Sequence, residues 1–176
     1  MLETLISSKT RLKLLLKFFL NSNPTSYLRG LEAEFGDSSN AIRLELNRFE
    51  NAGMLTSFQD GNKKYFRANI DHPLYNDIHN ILLKYIGFDK IVDTILENLG
   101  EVKKVYVTGT FANGIDNDRI DLALIGNVNL EYLESLIAKT ERHISRRISY
   151  QVISFSEYDV HLKPQFEKEA LLLWES

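Results

Sequence analysis

Cysteine is absent from this chain of 176 residues. That removes disulfide frameworks and thiolate metal sites and is what a cytoplasmic protein would show. Long apolar runs are absent too. Nothing approaches the roughly 18–20 residues of a membrane span, and the nearest stretch, Leu12–Leu20, contains Lys13 and Lys17, so it reads as an amphipathic helix. The first residues lack the basic region, apolar core and small-residue site of a secretory leader, which is therefore not expected. The four histidines, His72, His79, His143 and His161, have no ligand spacing; no metal and no cofactor are expected, and all four read as surface or helix-end residues. Ser38 and Ser39 stand in no nucleophile arrangement. The three prolines fall at breaks, Pro24 after one helical stretch and Pro73 and Pro164 at the start of others. There is neither an internal repeat nor a low-complexity segment.

What is present is ample for a core. Hydrophobic residues make up 44% of the chain, and the length fits one large domain or two small ones. The net charge of −3 conceals an asymmetry: residues 1–68 hold ten Lys/Arg against seven Asp/Glu, and the remainder hold eleven against seventeen. Nucleic acid is thus expected at the N-terminal part.

The periodicity predicts a first helix capped at Ser7 or Ser8 and running to about Leu20, then a short helix over Tyr27–Phe35 capped by Thr25 or Ser26, with Leu28, Leu31 and Phe35 inward. Gly36-Asp37 makes a tight turn. The stretch from Ser38 to Met54 follows, with Ala41, Ile42, Leu46 and Phe49 on one face and Ser39, Asn40, Arg43, Asn47 and Arg48 largely on the others. Gly53 stops it, and two short strands, Leu55–Gln59 and Lys64–Ala68, flank the turn at Asp60-Gly61-Asn62-Lys63. A helix with a guanidinium-bearing polar face followed by a basic hairpin suits the major groove of DNA and its flanking phosphates. The candidate DNA-contacting residues are Ser38, Ser39, Asn40, Arg43, Asn47, Lys63, Lys64 and Arg67. Arg43 and Asn47 lie one turn apart and are types that make bidentate contacts to guanine and adenine. The lysines and Arg67 suit phosphates.

Ser39-x-x-Ile42-Arg43-x-Glu45-Leu46-x-x-Phe49-x-x-Ala52-Gly53-Met54-Leu55, then Gly61-Asn62-x-Lys64-Tyr65-Phe66-Arg67-Ala68-Asn69, resembles a winged helix-turn-helix of the ArsR/MarR type. The resemblance implies a DNA-binding transcriptional regulator, and a homodimer is expected because two recognition helices one DNA turn apart multiply specificity.

From Asn69 the pattern changes. Asp71-His72-Pro73 begins a helix with Leu74, Ile78, Ile81, Leu82, Tyr85 and Ile86 at helical spacing, and a second helix covers Phe88–Leu99, closed by Gly100. Either can be core or a dimer surface. Strands are expected at Val102–Thr108, Ile120–Ile125 and Ile148–Phe155, and a long helix at Asn129–Arg146. Ser156 caps a short helix holding Tyr158, and Leu171–Trp174 is a strand or helix end. Tyr65-Phe66 and Tyr106 read as core rather than as a stacking platform.

Gly109-Thr110-Phe111-Ala112-Asn113-Gly114, then Arg119-Ile120-Asp121-Leu122, resembles the nucleotidyltransferase superfamily of DNA polymerase β type in its minimal form. That resemblance implies a triphosphate held at the first glycine and the following hydroxyl, Mg²⁺ on two carboxylates two residues apart, and a third carboxylate on a later strand. Gly109, Thr110, Gly114 and Asp121 match. Arg119 stands where the first carboxylate belongs and Gln151 where the third belongs, so one carboxylate of three survives and no residue is assigned a catalytic role. Asp118 has the wrong strand parity to pair with Asp121. Arg119 is expected to pair with Asp121 or a nearby acid.

The expected architecture is α/β (α+β): a winged helix-turn-helix over 1–70, connecting helices with a dimerisation surface over 71–100, and a degenerate nucleotidyltransferase-like mixed sheet over 101–176. Two other classes stay open: a nucleotidyltransferase acting on a protein or small molecule, and a non-enzymatic protein that binds a partner or small effector through its C-terminal domain.

Overall fold

The computed structural model describes residues 2–96 and 99–176. The chain divides into two compact units, Met1–Tyr85 and Ile86–Ser176. The two helices expected to connect the domains are thereby shared out, one to each unit.

In the N-terminal unit a short helix α1 (Leu2–Leu5) precedes α2 (Lys9–Leu15), whose Ser8 cap accepts a hydrogen bond from Arg11 N at 3.2 Å. Beyond Leu15 the helix widens into a π-turn over Leu16–Leu20. A widened turn shifts the backbone pairing, and the Phe19 carbonyl there lies 2.9 Å from His79 Nδ1. His79 is thus a half-buried bracing residue, correcting its reading as an ordinary surface histidine. The second helix, α3 (Leu28–Phe35), also departs from expectation. Neither Thr25 nor Ser26 caps it; Ser26 and Tyr27 form a two-residue strand β1, and Tyr27 occupies the cap position without a side-chain bond. Only Leu31 of its three expected core residues is fully buried. Gly36, at φ +67°, ends α3 in the left-handed region, which a glycine enters without a Cβ penalty.

Helix α4 (Ser39–Asn51) is capped by the Ser38 hydroxyl, which accepts from Ala41 N at 3.3 Å. Its inward face carries Ile42, Leu46 and Phe49, with Glu45 buried among them. Strands β2 (Leu55–Asp60) and β3 (Lys63–Ala68) make a hairpin one residue longer on each arm than expected, turning at Gly61-Asn62. The sheet order is β1-β3-β2, all antiparallel. Helices α2, α3 and α4 and the hairpin follow one another as expected, and β1 adds a short third strand between α2 and α3. Helix α5 (Tyr75–Ile86) then packs Tyr75 against Phe19, ring centroids 5.7 Å apart, and Phe19 against Phe49 at 6.4 Å. It starts later than expected, and Leu74 and Ile81, members of its helically spaced apolar row, are exposed at 52% and 50%.

In the C-terminal unit α6 (Phe88–Leu96) precedes β4 (Gly100–Thr108). The expected continuation of that helix to Leu99 crosses residues 97 and 98, which lie outside the described residues; Gly100 opens the strand instead of closing the helix. A short α7 (Gly109–Ala112), β5 (Arg119–Val128), α8 (Leu130–Ile144), β6 (Arg147–Ile153), α9 (Phe155–Glu157), a π-turn over Tyr158–Leu162, α10 (Lys163–Glu169) and β7 (Leu171–Glu175) complete it. Asn129 caps α8, and Ser145, at φ +55°, closes it. Leu130, the first residue of α8, is 52% exposed. Ser154 rather than Ser156 caps α9, its hydroxyl accepting from Glu157 N at 3.2 Å, because β6 ends at Ile153, two residues earlier than expected.

The sheet runs β6-β5-β4-β7, with β5 and β6 parallel and the other pairs antiparallel. The parallel pair is joined through α8, the crossover that parallel strands require. Both faces are covered. One carries Tyr106, Ala123, Ile125 and Ile153 beneath Tyr158, Phe166 and Ala170. The other carries the alternate residues Val105, Val107, Leu122 and Leu124, all buried. Tyr106 is therefore core like its valine neighbours, and its hydroxyl meets Tyr158 Oη at 2.7 Å. Burial, more than that hydrogen bond, pushes the Tyr106 phenol well above the usual tyrosine range. The architecture is α+β, a unit of helices with a three-stranded antiparallel sheet followed by a unit built on a four-stranded mixed sheet. No helix among the described residues is long and apolar enough to cross a membrane.

Candidate nucleic-acid interface and C-terminal cleft

Two features of α4 aim its polar face outward. The Ser38 cap fixes where the helix begins, and the buried row of Ile42, Leu46 and Phe49 fixes its rotation, so Arg43 and Asn47 emerge exposed one turn apart. The hairpin, paired in register from Leu55↔Ala68 to Asp60↔Lys63, brings Lys63 and Lys64 to face them. Between helix and hairpin lies a groove of about 520 Å³ lined by Tyr27, Arg29, Arg43, Asn47, Asn62, Lys63 and Lys64, with Leu28, Leu46 and Phe66. Four cationic side chains line it, and among the described residues no acid does.

The cations differ in how they are held. Lys63 Nζ sits 4.3 Å over the Tyr27 ring. Lys64 Nζ donates to Glu50 Oε2 at 2.7 Å, and Ser57 Oγ donates to the same carboxylate. Those bonds, the lysine's first, hold the Glu50 carboxyl below the usual glutamate range. Arg29 and Arg43 make no ion pair among the described residues, so their guanidinium forks are available to a ligand. Behind the groove, buried Glu45 accepts from Arg11 Nε at 2.9 Å and from Arg48 Nη1 at 3.0 Å, which ties α4 back to α2.

Of the eight residues expected to meet DNA, the groove gathers Arg43, Asn47, Lys63 and Lys64. Ser38 is committed to its cap, while Ser39, Asn40 and Arg67 do not line it. Arg67 instead lies along β3, donating to Thr56 Oγ1 at 3.3 Å and stacking 5.7 Å from the Phe58 ring. Arg29, Asn62 and Tyr27 were not foreseen. Arg29 stands second in α3, and nothing in its own neighbourhood distinguishes it from a solvated charge.

In the C-terminal unit, register places Thr108, Asp121 and Ser149 in one cross-strand row and Tyr106, Ala123 and Gln151 in the next on the same face. Arg119 Nε lies 2.9 Å from Asp121 Oδ1, and Ser149 Oγ donates to that same oxygen. A Cβ at Gly109 would stand 2.6 Å from Asp121 Oδ2, so only glycine lets the turn at φ +67° approach this carboxylate so closely. Thr110 Oγ1 accepts from Asn117 Nδ2 at 3.3 Å, and Asn113 Nδ2 donates to Gly109 O at 3.1 Å. Gly114 is buried at φ +73°. Asp116 pairs with Arg146 at 2.6 Å. Among the described residues no group of three or more His, Cys, Asp or Glu could hold a metal ion. Asp121 is the sole carboxylate of its row, and its Oδ1 is occupied by a guanidinium. The residues present do not fit a two-carboxylate Mg²⁺ site.

Gly109 and Gln151 also border a cleft of about 290 Å³, with Thr108 and Asn113 on one side and Gln165, Phe166, Glu169 and Ala170 of the α10 segment on the other. The four α10-side residues were not foreseen, since their position depends on how that segment folds back over the sheet.

No family model matches the chain, and no curated protein matches it. Among solved structures, a mutant of the toxin-antitoxin MntA-HpeT is similar at 16% identity and a TM-score of 0.38, covering 50% of this chain and 72% of that chain. A toxin-antitoxin with AMP-PNP is similar at 16% identity and a TM-score of 0.40, covering 51% and 74%. AF1382 from Archaeoglobus fulgidus is similar at 19% identity and a TM-score of 0.37, covering 56% of this chain and 99% of that one. Likeness of this degree assigns neither activity nor partner to this chain.

Proposed function

We propose that the N-terminal unit binds duplex DNA sequence-specifically and that the chain is a transcriptional regulator acting as a homodimer. The observation that carries this reading is the groove between α4 and the hairpin. It gathers two unpaired arginines, an asparagine and two lysines without a lining acid. Arg43 and Asn47 read base edges from the major groove, and Lys63, Lys64 and Arg29 hold the flanking phosphates. The C-terminal unit serves as a partner- or effector-binding module. Transfer chemistry is the weaker reading, because the Arg119–Asp121 pair occupies the position a metal would need.

The test is fluorescence anisotropy with fragments of the DNA upstream of the protein's own gene. The wild type binds one fragment in preference to random duplex, and Arg43→Ala weakens that preference by about 1–3 kcal/mol while changing random binding less. Lys64→Ala weakens both alike and lowers the salt dependence by at most about one unit, less if the Glu50 pair persists on DNA. Absence of binding to any fragment at low salt would sink the reading.

A further inference from the structure

The cleft beside α10 has a chemical character that differs from a phosphate site. Phe166, buried, packs edge-on against Tyr106 with ring centroids 5.2 Å apart. The cleft lies next to that contact, where the row of Tyr106, Ala123 and Gln151 contributes only a methyl group between its two larger members. One wall is thus apolar and aromatic, and the remaining groups are polar.

Those polar groups offer one carboxylate and several carbonyl or hydroxyl oxygens, beside the amide N–H groups that their own bonds leave over. Asn113 commits one N–H of Nδ2 to Gly109 O at 3.1 Å, which leaves the other N–H and its Oδ1. Gln165 commits one N–H of Nε2 to Glu169 Oε2 at 3.1 Å, which leaves the other N–H, its own Oε1 and the second carboxylate oxygen of Glu169. Thr108 Oγ1 donates to Asp121 O at 3.4 Å and keeps its lone pairs. The Gln151 carboxamide is exposed and makes no bond among the described residues. Among the described residues no cationic side chain lines the cleft: Lys163 and Lys168, close in sequence to Gln165 and Glu169, are not in its lining, and Arg119 is held by Asp121. An anion entering here meets a carboxylate and carbonyl oxygens with no compensating charge. A flat group bearing several N–H donors and a positive charge meets acceptors at its edge and an aromatic side chain beside it.

We infer that this cleft binds a small planar cation of the guanidinium or amidinium class. The inference rests on the effector-binding role given above to the C-terminal unit and names the chemistry of that effector. Glu169 supplies the charge, Gln151 and Asn113 orient the N–H edge, and Phe166 sets the thickness of what enters. Neither Glu169 nor Gln151 belongs to the core, so both can be changed without removing a packed side chain.

The probe is agmatine, titrated into ¹⁵N-labelled full-length protein, with putrescine and inorganic phosphate as comparisons. The expected result is a saturable shift of the Gln151, Gln165 and Asn113 side-chain amide signals by agmatine at or below about 1 mM. Putrescine, a cation without the plane, binds at least about tenfold more weakly, and phosphate leaves these signals unmoved. Glu169→Gln weakens agmatine about tenfold or more, and Gln151→Ala severalfold, with the spectrum otherwise native. No saturable shift by agmatine up to about 10 mM overturns the inference. So does phosphate binding at the same signals, or an affinity indifferent to Glu169→Gln. DNA anisotropy on the same sample without agmatine keeps a failure here separate from a failure of the DNA reading.

Discussion

At the scale of single residues, the informative positions are buried charges. Lys17 is 6% exposed, and its ammonium donates to Glu34 Oε2 at 2.8 Å. Removing one partner of such a pair leaves the other charge desolvated, which costs more than the pair itself contributes. Glu34→Ala is therefore expected to destabilise the protein by about 3 kcal/mol, and Lys17→Met with Glu34→Leu to recover most of that loss. Urea denaturation of the three proteins measures both; equal stability of the single and double variants would refute the account. Glu45 gives a pH signature. Burial raises its pKa, but the Arg11 hydrogen bond and charge, the Arg48 charge and Ser8 together hold it below the ordinary 4.5. Asp37, bonded first by Lys13 and also by Thr10, is likewise lowered from 3.8. A carboxylate with a depressed folded-state pKa contributes stability that is present above its unfolded value and is lost as pH falls through the folded one. The melting temperature should thus hold from neutral pH to about 5 and drop below about 4, and less steeply in Glu45→Gln than in the wild type.

At the scale of elements, legibility followed whether a segment carried its own boundary signal. Helix α4 did, because a capping serine, a period of three and four, and a stopping glycine all agree. The hairpin did, because Gly61 marks the turn. The π-turn at Leu16–Leu20 did not: every residue from Leu14 to Leu20 is buried, lysine included, so no polar face exists to reveal a change of period. Strand β1 was hidden because Ser26 and Tyr27 extend only by pairing with Phe66 and Tyr65, a partner some forty residues away in sequence. Ser154 and Ser156 offer the same hydroxyl, and only the end of β6 decides between them. In the C-terminal site, strand parity made Arg119 and Asp121 neighbours on paper, whereas Glu169 could not be placed without the fold. That parity supports an expected outcome. Register sets 119, 121 and 151 on one face of β5 and β6. Arg119→Asp with Gln151→Asp removes the ion pair and supplies two carboxylates, so Mg²⁺ affinity should rise from undetectable to about millimolar by calorimetry. No gain over the wild type would mean that the rows are misaligned for a shared ion.

At the scale of the whole molecule, charge is divided between the two parts of the chain. Basic residues exceed acidic ones by three up to Ala68, and acidic residues exceed basic ones by six beyond it. A polyanion is therefore attracted to the first part and repelled by the second, and association with DNA should slow and weaken steeply as salt rises. A sequence-specific reader of this size gains most from presenting two copies of α4 to two half-sites. For the proposed homodimer, the flank of α5 is the candidate surface. Leu74, Ile78, Ile81 and Tyr85 follow one another at spacings of four, three and four, the seam of a coiled coil. Leu74 and Ile81 are half exposed, and Ile70 and Leu5 are exposed at 60% and 79%. Asp77 and Lys84 are exposed on one side of this seam. Set antiparallel on a second copy about a two-fold between Ile78 and Ile81, the helix places Leu74 opposite the partner copy's tyrosine. Each Asp77 then comes within a turn of the other copy's lysine, which a parallel pairing would not achieve. A helix of 12 residues is only about 18 Å long, so the contact stays below the roughly 1,200 Å² of a standard stable interface, and the dimer should be weak. Sedimentation equilibrium should show dimers at tens of micromolar, with Asp77→Lys shifting the protein to monomer. Adding Lys84→Asp to that variant should restore the dimer, because the reversed pair is equivalent across the two-fold. A wild-type monomer at about 50 µM, or a double reversal that stays monomeric while folded, would rule out this seam as the interface and leave the DNA contacts of α4 to be tested on their own.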